Sequence, residues 1–293
     1  MKKLKFLFLT LSIILASCNS DDDSTPPSDS IEFSITELSI NKGLVGSKII
    51  ISGTGFPNSI EDINVTFGTI KATISNINST SITTVIPDNA ETGDIIVVYG
   101  SESINAGLFT VLAPLVQGKI KNLKAPQNGG QGQAVSGSFT KFDFATGTVT
   151  TSNTNWDIAF RGTTIALNGG TPTGITDEPT RNGHAAVSIV TGTFANITTA
   201  EGLSFSQDSD TSFGVPTGNN NGWYNYSGPP SHVITPIPGK VLVFRTRGGH
   251  YAKIEILSWY KDAPTPPSAF EHEGNFYTFN YVYNPNRGNK SFE

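Results

Sequence analysis

The feature that most constrains the fold is the stretch at residues 222–261, in which two strand-like segments meet at a glycine pair. Residues 240–247 and 250–260 carry the β-branched, aromatic and alternating side chains that are typical of strands. Gly248 and Gly249 lie between them and can adopt the positive φ angles of a two-residue hairpin turn. The sequence therefore predicts an antiparallel hairpin here.

The same turn predicts a register for the hairpin. A two-residue loop places Arg247 opposite His250 and Arg245 opposite Ala252. Because side chains alternate between the two faces of a strand, we expect His250, Ala252 and Ile254 to share one face.

The rest of the chain also favours β-structure, because no stretch shows sustained helical periodicity. Short alternating segments recur in the first third of the sequence, at residues 35–40, 48–52, 63–67, 71–77, 81–86, 94–99 and 107–111. This spacing predicts a β-sandwich over residues 31–112 and an all-β fold class.

The N-terminal residues 1–17 have the layout of a secretory signal, with three lysines before the apolar run 6–15. The run is too short to span a bilayer. The motif at residues 15–18, Leu-Ala-Ser-Cys, resembles a bacterial lipobox, which implies that Cys18 is acylated and anchors the protein to a membrane without spanning it.

Residues 18–30 form a polar, acidic stretch with no side chain suited to a core, and we expect a disordered tether. Asp21, Asp22 and Asp23 resemble the export tag of surface lipoproteins in Bacteroidetes-type bacteria, which implies a lipid-anchored protein at the outer membrane, facing outward. A solvated linker is the alternative interpretation.

The charge balance argues against binding of nucleic acid. The chain has 19 basic and 24 acidic residues, and loss of the three signal lysines leaves 16 against 24, a net charge of −8. Nucleic-acid binding requires clustered positive charge.

The segment 31–112 resembles the IPT/TIG family of immunoglobulin-like domains. The resemblance rests on its turn motifs, which are SGTGF at 52–56, Phe-Gly at 67–68, Ile-Pro-Asp at 86–88 and Thr-Gly at 92–93. The resemblance implies a spacer or interaction module without chemistry of its own.

Residues 113–116 form a short joint, and residues 117–293 form a second domain with strands at 139–144, 148–151, 155–160 and 275–283. In the third of these strands, Trp156, Ile158 and Phe160 are expected to share a buried face. The last strand alternates so that one face carries an aromatic column of Tyr277, Phe279, Tyr281 and Tyr283.

The second domain resembles the HmuY family. The motifs occur in order, at residues 141–144 (KFDF), 155–160 (NWDIAF), 167–170 (LNGG), 222–223 (GW), 236–240 (PIPGK), 243–245 (VFR), 251–254 (YAKI) and 277–281 (YTFNY). The resemblance implies a hand-like all-β fold, haem held by two axial histidines, and delivery of haem to a TonB-dependent outer-membrane receptor.

The segment in which the family places its first histidine, at about 193–210, contains no histidine here. Haem requires neutral imidazoles, an apolar wall and cations near its propionates. The candidate iron ligands are His232, His250 and His184, the candidate wall is Trp223, Tyr224 and Tyr226, and the candidate propionate partners are Arg245 and Arg247. His272, between two glutamates, is expected to be exposed.

Two other functions remain open. The aromatic residues around Trp223 and the neighbouring asparagines also suit a glycan, whose rings stack on aromatic faces. An adhesion or assembly module, with those aromatics buried, is the other alternative. The sequence contains no Gly-x-Ser-x-Gly elbow, phosphate loop or HExxH pair, and we expect a non-catalytic binding protein.

Overall fold

The computed structural model describes residues 32–130 and 132–293, and every element in this part of the chain is a β-strand. The expected all-β fold class is therefore confirmed. No helix among these residues could cross a membrane. The predicted signal sequence, Cys18 and the three aspartates at 21–23 lie outside the described residues.

The first domain is a sandwich of two sheets. Its strands are β1 (Ser34–Leu38), β2 (Lys42–Leu44), β3 (Lys48–Thr54), β4 (Ile63–Phe67), β5 (Ile70–Lys71), β6 (Thr73–Asn78), β7 (Ser81–Val85), β8 (Gly93–Tyr99) and β9 (Glu102–Leu112). One sheet has the order β1-β3-β7-β6 and the other the order β2-β9-β8-β4-β5. Alternation along the strands fills the core, as in β4, where Ile63, Val65 and Phe67 are buried.

The second domain follows three residues after β9. Its strands are β10 (Val116–Lys124), β11 (Asn128–Gly130), β12 (Gln133–Ser136), β13 (Thr140–Asp143), β14 (Thr148–Thr150), β15 (Ile158–Arg161), β16 (Thr164–Leu167), β17 (Ala186–Thr191), β18 (Tyr224–Tyr226), β19 (Ile234–Pro236), β20 (Lys240–Arg245), β21 (Tyr251–Ser258) and β22 (Phe276–Asn284). A five-stranded sheet, β10-β22-β21-β20-β17, and a four-stranded sheet, β14-β13-β15-β16, carry its core.

The aromatic column on β22 is confirmed. Tyr277, Phe279, Tyr281 and Tyr283 all belong to the largest apolar cluster, which also contains residues of the four-stranded sheet. Ring pairs join the two sheets, since the centroid of Phe279 lies 5.5 Å from that of Phe142 and 5.9 Å from that of Phe160.

The hairpin of β20 and β21 is present, but the expected register is wrong by one residue. Arg245 pairs with Tyr251, not with Ala252. The reason is a three-residue loop, in which the Thr246 amide donates to the His250 carbonyl and Gly249 adopts a φ of 81°. Such a loop accommodates its last residue in the left-handed region, which glycine allows.

One expected face is also wrong. Ile158 and Phe160 lie in the largest cluster, whereas Trp156 packs with Phe139 and Ala159 in a separate cluster. β15 begins only at Ile158, so the period-two rule does not apply to Trp156.

The five-stranded sheet has two ends with different surroundings. Strand β21 has eight residues and spans about 25 Å. At one end the β20–β21 loop and the end of β22 lie beside the joint between the domains, where Asn286 bonds Ala113. At the opposite end, the segment between β21 and β22 and the loop between β18 and β19 form a cleft.

Candidate ligand-binding cleft

The cleft lies where β21 ends and β22 begins, and it has a volume of about 550 Å³. This volume is within the range of roughly 300–1,000 Å³ found for small-molecule sites. Four of its ten lining residues are aromatic and two are histidines: the residues are Tyr226, His232, Ile234, Trp259, Tyr260, Ala269, Phe270, His272, Gly274 and Asn275.

The first wall is the loop between β18 and β19. Within it, the Ser227 amide donates to the Val233 carbonyl at 2.9 Å, and the His232 amide donates to the Gly228 carbonyl at 2.9 Å. His232 has a φ of 52°, a left-handed conformation that is uncommon for a residue with a Cβ. Its ring Nδ1 is hydrogen-bonded to the Tyr226 hydroxyl. The imidazole is therefore oriented by a neighbour, although it is exposed.

The second wall is formed by Trp259 and Tyr260. The Trp259 indole Nε1 donates to the Gly162 carbonyl at 3.0 Å, which fixes the ring against the four-stranded sheet. The Tyr260 hydroxyl accepts the Ile234 amide at 3.1 Å and ties the first wall to the second. A Cβ on Gly274 would lie 2.4 Å from the Trp259 ring, so only glycine allows this close approach.

The rim contains Phe270 and His272. Phe270 is 77% exposed, and its ring centroid lies 6.3 Å from that of His232. The expected exposure of His272 is only partly correct, because its side chain is half-buried and faces the cleft. Its Nδ1 accepts the Ser268 amide at 2.9 Å. A neutral His272 therefore carries its proton on Nε2.

The charge of the cleft is low. Among its lining residues there is no lysine, arginine, aspartate or glutamate, and the two histidines are its only titratable groups besides tyrosine. Within residues 32–130 and 132–293, no group of three or more His, Cys, Asp or Glu side chains could hold a metal ion. The cleft suits a ligand with flat or apolar faces.

Two of the expected wall residues do not line the cleft. Trp223 is 2% exposed and donates through Nε1 to the Thr163 carbonyl at 2.9 Å. Tyr224 is 8% exposed, and its ring centroid lies 5.0 Å from that of Trp223. Both rings belong to the main core. The expectation that Trp223 and Tyr224 form a wall of the ligand site is therefore wrong. Of the three aromatics proposed from sequence, Tyr226 reaches the cleft.

The other candidate residues lie at the opposite end of the sheet. His184 precedes β17, and its carbonyl accepts a hydrogen bond of 3.5 Å from Arg245. His250 precedes β21 at the same end. Since about 25 Å of strand separates His250 from the cleft, the cleft brings His232 together with neither His250 nor His184. The two arginines are likewise too far away to meet a ligand in the cleft.

Arg247 forms ion pairs with two carboxylates of its own domain. Its guanidinium Nη1 lies 2.9 Å from an oxygen of Asp143 and 3.0 Å from one of Asp157. Burial raises the pKa of Asp157, and the Arg247 charge opposes that rise. His250 lies nearby, and burial lowers its pKa, with further lowering from Arg287 and Arg247 against the opposing charge of Asp157.

Sequence reasoning missed Trp259, Phe270, His272 and Gly274. A signal was present: aromatic residues follow directly after an alternating strand, and the next loop carries Phe270 and His272 two residues apart. Nothing in that pattern shows that residues 226–234 and 259–275 meet, because the Tyr260–Ile234 hydrogen bond joins segments far apart in the chain.

Comparisons with solved structures found proteins from Bacteroides. A Bacteroides thetaiotaomicron protein of unknown function is 14% identical, with a TM-score of 0.27, and the match covers 78% of this chain and 58% of that chain. Another from the same organism, described as a candidate phosphatase, is 16% identical with a TM-score of 0.26 and coverage of 75% and 54%. An auxiliary nutrient binding protein from Bacteroides ovatus is 15% identical with a TM-score of 0.25 and coverage of 76% and 67%. The chain thus spans little more than half the length of the first two.

No curated protein matches the chain. Family models match both of its domains. Residues 34–111 match the IPT/TIG domain, and residues 137–281 match the HmuY protein family. The chain therefore joins an IPT/TIG domain to a domain of the HmuY family.

Proposed function

We propose that this protein is a binding protein and that it takes haem in the cleft, where His232 would hold the iron. The observation that carries the proposal is the oriented His232 imidazole in a ring-lined cleft of about 550 Å³. The HmuY match of the domain supports the same ligand class.

The chemistry of the Tyr226–His232 pair suits ligation. When Nδ1 of His232 donates to the Tyr226 oxygen, the lone pair on Nε2 is left for a metal. A metal-bound histidine usually needs such a partner for its second nitrogen. Trp259 and Phe270 supply the apolar surfaces that a porphyrin face requires.

His272 is a poor second ligand. Its Nδ1 accepts the Ser268 amide, so Nε2 holds the proton that iron would have to replace. We therefore propose ligation by one histidine. No cation lines the cleft, so the haem carboxylates would be left to solvent.

We propose further that Cys18 is lipidated and that Asp21, Asp22 and Asp23 direct the anchored protein to the cell surface. A TonB-dependent outer-membrane receptor is the proposed acceptor of the ligand.

Titration of the purified protein with haemin tests the central proposal. We expect a saturable Soret band in the parent, and a loss in affinity of about tenfold or more with a shifted band in His232→Ala. Tyr226→Phe should weaken binding by about tenfold, because the second nitrogen loses its partner. His184→Ala is the matched control, since this exposed histidine lies at the other end of the sheet, and it should titrate like the parent.

A His232→Ala protein that binds haemin like the parent contradicts the proposal. The exposed Phe270 and Tyr226 rings and the lack of cations favour a neutral glycan as the second candidate ligand. Retention on a polysaccharide gel that is lost in Phe270→Ala and kept in His232→Ala would favour the glycan over haem.

A further inference from the structure

A second cavity lies at the junction of the two domains. It is a groove of about 530 Å³, lined by Lys42, Thr110, Leu112, Pro285, Asn286, Arg287, Gly288 and Asn289. The first three residues belong to β2 and β9 of the first domain, and the others follow β22 of the second. The groove therefore exists only when both domains are held together.

Asn286 holds the junction in place. Its side-chain oxygen accepts the Ala113 amide at 2.8 Å, and its side-chain nitrogen donates to the Ala113 carbonyl at 2.8 Å. The nitrogen also donates to the Asn284 side chain at 2.9 Å. Because one amide satisfies both backbone groups of a joint residue, the two sides of the groove keep a fixed relation.

The backbone that carries Arg287 is also fixed. The Gly288 amide donates to the Gly249 carbonyl at 3.0 Å, and the Asn289 amide donates to the Asn286 carbonyl at 2.9 Å. A Cβ on Gly249 would lie 3.5 Å from Nε of Arg287, so the side chain passes close over this glycine. The guanidinium is thus presented by a rigid turn.

The groove is positively charged in a protein whose net charge is −5. Lys42 and Arg287 are exposed, and no carboxylate is among the lining residues. Within the part of the chain that the structure describes, neither cation forms an ion pair. By contrast, Arg181 and Arg247 are each paired with two carboxylates.

The groove is also lined by polar side chains that could bond the hydroxyl groups of a ligand. Asn289 lines the groove, and its side-chain oxygen accepts the Ser291 amide at 3.1 Å, so its amide nitrogen is the group that could donate to a ligand. Thr110 contributes a hydroxyl from the opposite side. The volume exceeds what a simple ion requires and suits a ligand of the size of a sugar.

We infer that this groove binds a small hydroxylated organic anion, a sugar acid or a sugar phosphate, between Lys42 of the first domain and Arg287 of the second. Arginine binds carboxylate or phosphate through paired donors, and lysine adds a point charge from the other side. This site is independent of the proposed haem cleft, which lies at the far end of the sheet.

Calorimetric titration of the intact two-domain protein tests the inference, with glucuronate, glucose 6-phosphate, inorganic phosphate and neutral glucose as probes. We expect saturable binding of glucuronate or glucose 6-phosphate and weaker binding of glucose and inorganic phosphate. The stronger of the two acidic sugars identifies the anionic group. Lys42→Gln and Arg287→Gln should each weaken binding by about tenfold, the effect of losing one charged hydrogen bond.

Lys48→Gln is the matched control, because Lys48 is an exposed lysine of the same domain that lies outside the groove. It should bind like the parent, and all three variants should keep the haemin titration of the parent. Absence of saturable binding by both acidic sugars up to about 10 mM overturns the inference. Binding of glucose as tight as that of the stronger acidic sugar, or parent-like binding by Lys42→Gln and Arg287→Gln, overturns it as well.

Discussion

At the scale of single residues, the surroundings of each histidine decide what it can do. The Tyr226 hydroxyl orients His232 and can accept a hydrogen bond from its Nδ1–H. In His272, by contrast, Nδ1 accepts a backbone amide, so a neutral ring carries its proton on Nε2. His250 is half-buried beside Tyr283, with ring centroids 5.7 Å apart. Three side chains of one type therefore have three different chemistries.

His250 gives a prediction about pH. Burial, Arg287 and Arg247 lower its folded-state pKa below the ordinary value of 6.5, and Asp157 opposes them only in part. A lowered pKa means that the unfolded chain binds the proton more tightly, so this contribution to stability is present above about pH 6.5 and is lost as the pH falls. We expect the free energy of unfolding to fall between about pH 7 and pH 5 by more in the parent than in His250→Gln.

Denaturant unfolding at several pH values measures this difference. His184→Gln is the control, because His184 is exposed at the same end of the sheet. Identical pH profiles for the parent and His250→Gln would contradict the assigned environment.

The histidines show how far a sequence can predict a site. The histidines could be named, but their hydrogen-bond partners could not, because Ser268, Tyr226 and the His250 neighbours depend on loop conformations. His232 is an example: its left-handed φ of 52° follows from a loop that ties its amide to Gly228. Backbone strain of this kind leaves no periodic signal.

At the scale of elements, the β18–β19 arm combines a buried and an open side. Trp223, just before the arm, packs 5.1 Å from Tyr277, measured between ring centroids, and closes the core. Tyr226, at the end of β18, is 37% exposed and lines the cleft. The arm thus links the stability of the second domain to the shape of its cleft.

The arm gives a prediction about stability. Trp223→Ala should lower the free energy of unfolding by about 3–5 kcal/mol, because it leaves a large cavity and an unpaired Thr163 carbonyl. Tyr226→Ala, three residues further along the chain, should cost about 1 kcal/mol or less. Thermal unfolding followed by circular dichroism compares the two variants. Equal melting temperatures for both would show that the ring of Trp223 is not part of the core.

The sequence predicts where strands lie better than it predicts the register in which they pair. The aromatic column of β22, the central hairpin and most strands of the first domain followed from alternation. The exceptions are β2, which lies outside every predicted segment, and β5 and β6, which were expected as one strand. The hairpin register did not, since Arg247, Gly248 and Gly249 form a three-residue loop where a two-residue turn was expected. A glycine pair permits both turns, and the choice between them depends on the packing of both strands.

At the scale of the whole molecule, Asn286 of the second domain binds the segment that connects the domains. Its two hydrogen bonds to Ala113 fix a segment only three residues long. The two families could be identified from sequence, each in its own domain. The cleft and the junction groove could not, because each is assembled from segments that are distant in the chain.

The junction gives a prediction about proteolysis. Asn286→Ala removes both hydrogen bonds to Ala113, and we expect cleavage within residues 113–115 to become about tenfold faster, as a loss of roughly 1–1.5 kcal/mol in local stability implies. Asn289→Ala is the control, because its side chain bonds Ser291 and not the joint. Limited proteolysis followed by mass spectrometry measures the rate. Equal rates for the parent and Asn286→Ala would contradict the role of this clamp.

The placement of the cleft at the end of β21 remote from the IPT/TIG domain has a consequence for access. A partner that took the proposed ligand could approach the opening from the side remote from the N-terminal module, so such a transfer would need no rearrangement between the two modules.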